Sequence, residues 1–90
     1  MYYFFVGIKY YHNNNIIIFS TVIECEEYPT KIEIIEEAFV ADSKNQMYLG
    51  YSKLYDTVHD KTTDITSYSQ LTKQQYERYK YINPLEINDL

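Results

Sequence analysis

The first twenty-five residues constrain the fold more strongly than any other part of the chain, because they contain two runs dominated by Val, Ile, Phe, Tyr and Thr. These residue types are enriched in β-strands. The cluster His12–Asn15 separates the runs, and asparagine tolerates the left-handed backbone conformation that a tight hairpin turn requires. The sequence therefore predicts an antiparallel β-hairpin with Asn13 and Asn14 as its two-residue loop.

A two-residue loop fixes the register of this hairpin, and the register divides its side chains between two faces. One face is almost entirely apolar and is predicted to be the core face. Its cross-strand pairs are Tyr10 with Ile17, Ile8 with Phe19, Val6 with Thr21 and Phe4 with Ile23. The pairs on the second face are Tyr11 with Ile16, Lys9 with Ile18, Gly7 with Ser20, Phe5 with Val22 and Tyr3 with Glu24.

The second face of the hairpin is mixed but still rich in apolar side chains. We therefore expect another strand, the C-terminal tail or a second copy of the protein to cover it. The residues through which self-association is predicted are Phe5, Ile16, Ile18 and Val22. Gly7 interrupts this face and predicts either a β-bulge or the close approach of another part of the chain.

A helix is predicted after the hairpin, because Pro29 and Thr30 precede apolar residues that recur at helical spacing. Thr30 and Glu33 also have the spacing of a capping box, in which each residue satisfies a backbone amide of the other. The apolar residues predicted to face the hairpin are Ile32, Ile35 and Phe39. Glu33, Glu36 and Glu37 then point outward.

The strongest charge asymmetry lies in Glu24–Asp42, which holds seven of the thirteen carboxylates and a single base, Lys31, for a net charge of −6. We name the six glutamates of this segment the acidic surface: Glu24, Glu26, Glu27, Glu33, Glu36 and Glu37. Such a surface predicts docking on a basic partner, because complementary charges accelerate association and select its orientation. The alternative interpretation is a solvated helix face that only keeps the protein in solution.

Ser43–Asp64 gives a weaker pattern. It fits an amphipathic helix better than a strand, because its apolar residues recur at helical rather than alternating spacing. These residues are Met47, Tyr51, Leu54, Tyr55 and Val58. The polar run Asp60–Asp64 predicts a turn.

The C-terminal part of the chain predicts one strand and one helix. Ile65–Tyr68 is a short β-prone run that is expected to add a third strand beside the hairpin. Thr72 and Gln75 form a second capping box at the start of a helix, and Asn83-Pro84 stops that helix.

Together these elements predict a single α+β domain over residues 1–84, followed by a tail over residues 85–90. The predicted element order is ββα(α)βα, with the hairpin packed on a helix. Ninety residues are near the size at which dimerisation is often used to bury additional surface, so a homo-oligomer is also expected to be feasible.

Several function classes find no support in the sequence. Without a Gly-rich phosphate loop or a nucleophile in a recognisable setting, catalysis is not expected. Asp56, His59 and Asp60 share a helical face but lack a fourth ligand, so neither a metal nor a cofactor is expected.

Scattered Lys and Arg residues and a net charge of −5 argue against direct nucleic-acid binding. The apolar stretches are too short to span a membrane.

The cysteine content indicates the redox state of the cellular compartment in which the protein is expected. Cys25 is the only cysteine and cannot form an internal disulfide, and the first residues lack the features of a secretion signal. A reducing, cytoplasmic location is therefore expected.

The chain resembles small accessory proteins of bacteriophages and prophages. The resemblance lies in its short, acidic, Tyr-, Ile- and Asn-rich composition, in the order hairpin, helix and short strand, and in the terminal LTKQQYERYK helix. It carries over no functional residue. Such proteins include anti-CRISPR proteins and other inhibitors of host defence, which commonly occupy a surface such as a basic nucleic-acid channel. The resemblance implies a non-enzymatic inhibitor in the host cytoplasm that docks on the basic surface of a defence effector or nuclease.

Two other functions stay open. The protein is alternatively a homo-oligomeric structural or assembly protein, held together through the second hairpin face or an exposed strand edge. A third hypothesis is a sponge that holds a small signalling nucleotide between tyrosines, of which the chain has twelve.

Overall fold

The computed structural model, which describes residues 1–42 and 56–81, begins with the predicted antiparallel hairpin. Strands β1 (Tyr2–His12) and β2 (Asn15–Cys25) pair along their whole length, with Tyr10 opposite Ile17 and all other pairs in the predicted register. Asn13 and Asn14 have φ angles of 50° and 66°. These left-handed values are those of a type I′ turn, which matches the twist of the flanking strands.

The predicted core face of the hairpin is confirmed. Its central-strand residues are completely buried: Phe4, Val6, Ile8 and Tyr10. Helix α1 (Lys31–Ala41) packs against this face, and the ring of Phe39 lies 5.2 Å from that of Tyr10 and 5.1 Å from that of Phe19. The main core of the protein therefore lies between the hairpin and α1.

Helix α1 begins at the predicted capping box. The Thr30 hydroxyl accepts a hydrogen bond from the Glu33 amide at 3.3 Å, and the Glu33 carboxylate accepts one from the Thr30 amide at 3.3 Å. The buried residues of α1 are Ile34, Ile35, Ala38 and Phe39. The prediction that Ile32 faces the hairpin is wrong: the exposed fraction of Ile32 is 39%, and Ile34 occupies the core instead. Ile32 shares a side of α1 with Ile35 and Phe39 by helical spacing, but it lies in the first turn of the helix and remains exposed there.

The third strand, β3 (Asp64–Leu71), is longer than the predicted Ile65–Tyr68 and pairs antiparallel with β1. The sheet order is β2-β1-β3, so β1 is the central strand. Its partner residues shift at Gly7, because Gly7 lies opposite Ser67 while Ile8 lies opposite Ile65. The extra residue in β3 makes this irregularity a β-bulge.

Gly7 leaves room for the side chains of β3 that lie against this point. A Cβ atom on residue 7 would lie 2.7 Å from Oγ1 of Thr66 and closer still to Oγ of Ser67. Both roles predicted for Gly7, the bulge and the close approach, are therefore present.

Helix α2 (Lys73–Tyr81) covers part of the second hairpin face. It begins at the predicted capping box, where the Gln75 amide donates to the Thr72 hydroxyl at 3.1 Å. The ring of Tyr76 lies 4.9 Å from that of Tyr3, and the ring of Tyr79 lies 5.6 Å from that of Phe5. Helix α2 therefore covers this end of the second face, and the tail expected to cover it lies outside the described residues.

In Ser43–Asp64, the described residues 56–64 agree with the helix and the turn predicted from the sequence. Residues 56–58 are helical, and Val58 is buried in the main core. Asp60 Oδ1 then accepts hydrogen bonds from the amide and the hydroxyl of Thr62, each at 2.7 Å, which makes the predicted turn. Met47, Tyr51, Leu54, Tyr55, the Asn83-Pro84 stop and the tail lie outside the described residues.

Candidate functional site

The acidic surface is built from one strand end, one loop and one helix. Glu24 is the penultimate residue of β2 and lies opposite Tyr3 of β1. Glu26 and Glu27 follow in the loop that leads to α1, and the remaining three glutamates lie on the outer side of α1. All six are exposed to solvent: Glu24, Glu26, Glu27, Glu33, Glu36 and Glu37.

Three of these carboxylates act on one point of the surface, the half-buried thiol of Cys25. The pKa of Cys25 is raised above its ordinary value, first by burial and then by the negative charges of Glu37, Glu33 and Glu24. A thiolate is disfavoured both by desolvation and by nearby like charge. Glu33 and Glu37 act on the thiol from α1 on the core face, whereas Glu24 is its neighbour in the chain and lies on the second hairpin face, opposite Tyr3.

Glu36 faces another part of the molecule. Its Oε1 atom lies 3.7 Å from Nε2 of His59, which belongs to the segment that follows the described helical residues 56–58. Residues three or four apart on a helix are neighbours, so Glu33 adjoins both Glu36 and Glu37, whereas Glu36 and Glu37, one residue apart, point in different directions. The acidic surface thus has one region around Cys25 and a second region beside His59.

Lys31, the single base of the acidic segment, does not neutralise these glutamates. Its Nζ atom lies 3.0 Å from Oδ1 of Asp64, at the start of β3. The hydrogen bond from Lys31 lowers the pKa of Asp64 below its ordinary value, with further contributions from the Ile65 amide and the charge of Lys31. Because the positive charge of Lys31 is directed to β3, the carboxylates around Cys25 keep their combined negative potential.

Glu33 has a structural role as well as a place on the acidic surface. Its Oε1 atom accepts hydrogen bonds from the amide of Thr30 at 3.3 Å and from the Thr30 hydroxyl at 2.9 Å. The carboxylate therefore closes the first turn of α1, where negative charge also interacts favourably with the helix dipole. Replacing Glu33 by a base would change the start of the helix as well as the surface charge.

Tyr28 is an exposed aromatic residue beside the acidic surface that the sequence did not single out. Its exposed fraction is 60%, yet its ring is held edge-on by Tyr2 at 5.5 Å and by Phe4 at 5.7 Å. The Tyr68 hydroxyl donates a hydrogen bond to the Tyr28 hydroxyl at 3.1 Å. The only local signal is an aromatic residue between Glu26-Glu27 and Pro29, because the contacts depend on how the loop crosses β1 towards β3.

The Tyr28 contact changes the ionisation of Tyr68. Burial and the hydrogen bond to Tyr28 raise the pKa of Tyr68 to about 12, with smaller contributions from the charges of Tyr28 and Cys25. At neutral pH the Tyr68 hydroxyl is therefore protonated. It remains a hydrogen-bond donor that fixes the ring of Tyr28.

The four residues predicted for self-association fall into two groups. Phe5 lies beneath Tyr79 of α2, and Val22, opposite Phe5, is half-buried. Ile16 and Ile18 remain accessible, with exposed fractions of 58% and 65%. The accessible part of the second hairpin face is therefore its end near the Asn13-Asn14 turn.

The side chains considered as metal ligands have other contacts. Asp60 accepts hydrogen bonds from Thr62, and His59 lies beside Glu36. Within residues 1–42 and 56–81, no three His, Cys, Asp or Glu side chains converge as ligands for a metal ion.

A search of the helices described in the structure finds none that is long and apolar enough to span a bilayer. Comparison with known protein families, curated proteins and solved structures gives no match to this chain. The arguments for function therefore depend on the surface itself.

Proposed function

We propose that the protein is a non-enzymatic binding protein whose acidic surface occupies the basic surface of a nucleic-acid-handling host protein. The observation that supports this most strongly is the exposure of all six glutamates of the acidic surface, of which Glu33 and Glu37 on α1 and Glu24 on β2 all raise the pKa of the Cys25 thiol. Carboxylates from separate elements that act on one point form a local negative potential, and such a potential attracts clustered Lys and Arg. The partner class proposed is a host defence effector or nuclease, and the mode of action is that of the phage inhibitors which the chain resembles.

The proposed mechanism is competition. A basic channel that binds nucleic acid gains its affinity largely from contacts between Lys or Arg and phosphates. Carboxylates of the acidic surface would form ion pairs with the same Lys and Arg residues and exclude the nucleic acid. No covalent step is needed, and the inhibitor would be released unchanged.

Tyr28 supplies the aromatic contact that an acidic surface alone lacks. Its exposed ring is already fixed by Tyr2, Phe4 and Tyr68, so little side-chain entropy would be lost on binding. Tyrosine and arginine are enriched among the residues that dominate binding energies, and an arginine stacks favourably on an aromatic face. An arginine of the partner, between Tyr28 and the neighbouring glutamates, is the contact we propose.

The test is a pull-down from host lysate at low and high salt, comparing the protein with two charge-matched variants. Glu24→Lys/Glu37→Lys reverses two carboxylates near Cys25 and leaves the capping residue Glu33 intact. Asp56→Lys/Glu77→Lys makes the same change in charge at exposed residues outside the acidic surface.

A supporting result is a nucleic-acid-binding protein that is retained at low salt, released at high salt and displaced by added nucleic acid. The Glu24→Lys/Glu37→Lys variant should bind it at least about tenfold more weakly. The Asp56→Lys/Glu77→Lys variant should retain it. Equal retention by both variants would exclude the acidic surface as the docking site.

A further inference from the structure

Strand β2 forms one edge of the sheet, and it lacks the features that usually protect an edge. Its eleven residues pair with β1 without a bulge, and Asn15–Ile23 contains no charged residue and no proline. Natural proteins protect exposed edges with charges, prolines, bulges or covering segments, because an open edge is a template for another strand. In the described part of the chain, no strand pairs with the outer edge of β2.

The opposite edge of the sheet differs in these respects. Strand β3 begins with Asp64, carries mostly hydroxyl and amide side chains, and has the bulge opposite Gly7. A bulge and an edge charge both interrupt the regular array of donors and acceptors that another strand would need. The two edges of the described sheet are thus unequal, and only β2 presents a regular row of backbone groups, which is uncharged over Asn15–Ile23.

The uncovered end of the second hairpin face adds apolar surface along the same strand. Ile16 and Ile18 project from β2 on this face, and Tyr11 lies beside Ile16 on β1 with an exposed fraction of 44%. Helix α2 covers Tyr3 and Phe5, which lie at the other end of the face. Any strand that pairs with β2 would therefore also approach this apolar patch.

We propose that the occupant of this edge is a second copy of the chain, paired through an antiparallel β2–β2 contact about a two-fold axis at Ser20. A second copy is the one partner known to carry a matching uncharged edge and a matching apolar patch. Ser20 is the midpoint of Asn15–Cys25, so this register pairs all eleven residues of each strand. Residues directly opposite lie on the same face of the joined sheet.

This register places apolar residues opposite one another on both faces, although it also sets Ile16 opposite Glu24 of the second copy at each end of the contact. Ile18 faces Val22 of the second copy on the second hairpin face, and Ile17 faces Ile23 of the second copy on the core face. Association stops at two copies, because the outer edges of the resulting six-stranded sheet are the two β3 strands. The interface is therefore closed rather than fibre-forming.

The proposed dimer and the proposed partner complex respond to salt in opposite directions. Each copy carries a net charge of −5, and α1 with its glutamates lies over the hairpin, so two copies repel one another. Screening by salt weakens this repulsion and strengthens the dimer. The same screening weakens the attraction of the acidic surface for a basic partner, so failure of one proposal is distinguishable from failure of the other.

The first experiment is analytical ultracentrifugation of the full chain over a range of protein and salt concentrations. The expected result is a reversible dimer whose dissociation constant falls as salt rises. Ile18→Lys places a charge on the edge and should raise that dissociation constant at least about tenfold. Val40→Lys adds the same charge at a residue of α1 with an exposed fraction of 64%, and it should leave dimerisation largely unchanged.

The second experiment tests the register directly. Ser20→Cys in a Cys25→Ala background places two thiols opposite each other across the two-fold axis, at a Cα separation of about 5.5 Å that suits a disulfide. Diamide, which accepts the two electrons and two protons released by the thiols, should give a covalent dimer rapidly. Ser69→Cys in the same background is the control, because Ser69 is exposed on β3.

Three results would overturn the inference. The first is a single-chain mass at every concentration and salt. The second is a dimer that Ile18→Lys leaves intact, since the contact would then lie elsewhere. The third is cross-linking of Ser20→Cys no faster than that of Ser69→Cys, which would exclude pairing centred on Ser20.

Discussion

At the scale of single residues, Cys25 is the position where the local charge of the protein can be measured. Its thiol lies at the end of β2, opposite Tyr2, and it responds to glutamates from both β2 and α1. The thiolate is the reactive form of cysteine, so the rate of alkylation reports the pKa. One side chain thus makes the geometry of the acidic surface accessible to a simple kinetic measurement.

Neutralising a glutamate near Cys25 should accelerate alkylation of its thiol. Glu37→Gln removes a negative charge that disfavours the thiolate, so the pKa of Cys25 falls and iodoacetamide reacts faster at a fixed pH. Glu36→Gln is the matched control, because Glu36 faces His59 and should change the rate less. Equal acceleration by both substitutions would contradict the arrangement of two separate regions.

The sequence allowed only part of this site to be predicted. The outward direction of Glu33, Glu36 and Glu37 followed from helical spacing, because apolar residues between them needed a core. The effect of Glu33 and Glu37 on Cys25 did not, since it depends on the path of a loop that no periodic pattern describes. The ordered ring of Tyr28 was missed for the same reason, because its contacts come from β1 and β3.

At the scale of elements, the two helices depend on capping residues that the sequence marks clearly. Thr30 and Thr72 each bond to the amide three residues later, as their spacing predicted. The buried face of α1 was less certain, because Ile32, Ile34 and Ile35 are all apolar and periodicity alone does not choose among them. Local chemistry fixed where α1 begins, and packing against the hairpin fixed its rotation.

Removing the first cap should weaken the whole domain. Thr30→Ala leaves the Glu33 amide without its side-chain acceptor, which should lower the free energy of unfolding by about 1 kcal/mol. Urea denaturation followed by circular dichroism measures this change. Glu33→Gln keeps an oxygen acceptor for the Thr30 amide and should cost less, whereas an equal or larger loss would argue against the capping role of the Thr30 hydroxyl.

Strand β3 shows why the sequence predicted too short an element. Its flanks are polar and rank low on β-propensity scales, yet they pair with the buried central strand. β-propensity mainly reflects how a side chain fits its sheet surroundings, and these surroundings are set by β1. The bulge opposite Gly7 was expected from the glycine, but the identity of the approaching strand came only from the fold.

At the scale of the whole molecule, the described residues form three layers at one end and two at the other. Helix α1 covers the core face along the hairpin, whereas α2 covers the second face only where Tyr3 and Phe5 lie. The glutamates of α1 and the apolar patch consequently lie on different parts of the molecule. The two proposed contacts share only Glu24, which the pairing about Ser20 sets opposite Ile16 of the second copy.

The free energy of unfolding should fall at alkaline pH, and Tyr68 should account for part of that fall. Its pKa is raised from 10.0 to about 12 in the folded state. Between these values the unfolded chain loses the Tyr68 proton while the folded protein keeps it, so ionisation favours unfolding as pH rises. Thermal denaturation across this interval should show a shallower decline for Tyr68→Phe. An equally steep decline in that variant would contradict the assignment.

The same experiment distinguishes the cause of the shift. Tyr28→Phe removes the hydrogen-bond acceptor of Tyr68 but leaves the aromatic ring in place. The pKa of Tyr68 should then fall part of the way towards 10.0, and the alkaline decline should become shallower without disappearing.

The central position of β1 also determines the order in which the fold can assemble. Pairing of β1 with β2 closes only the Asn13-Asn14 turn, whereas pairing with β3 must join Lys9 to Asp64 across more than half of the chain. Closing a long loop costs more entropy and slows folding. The hairpin can therefore form early and alone, while β3 and α2 join late. Until they do, both edges of the hairpin are open, and refolding at high protein concentration is when the chain is most exposed to association with its neighbours.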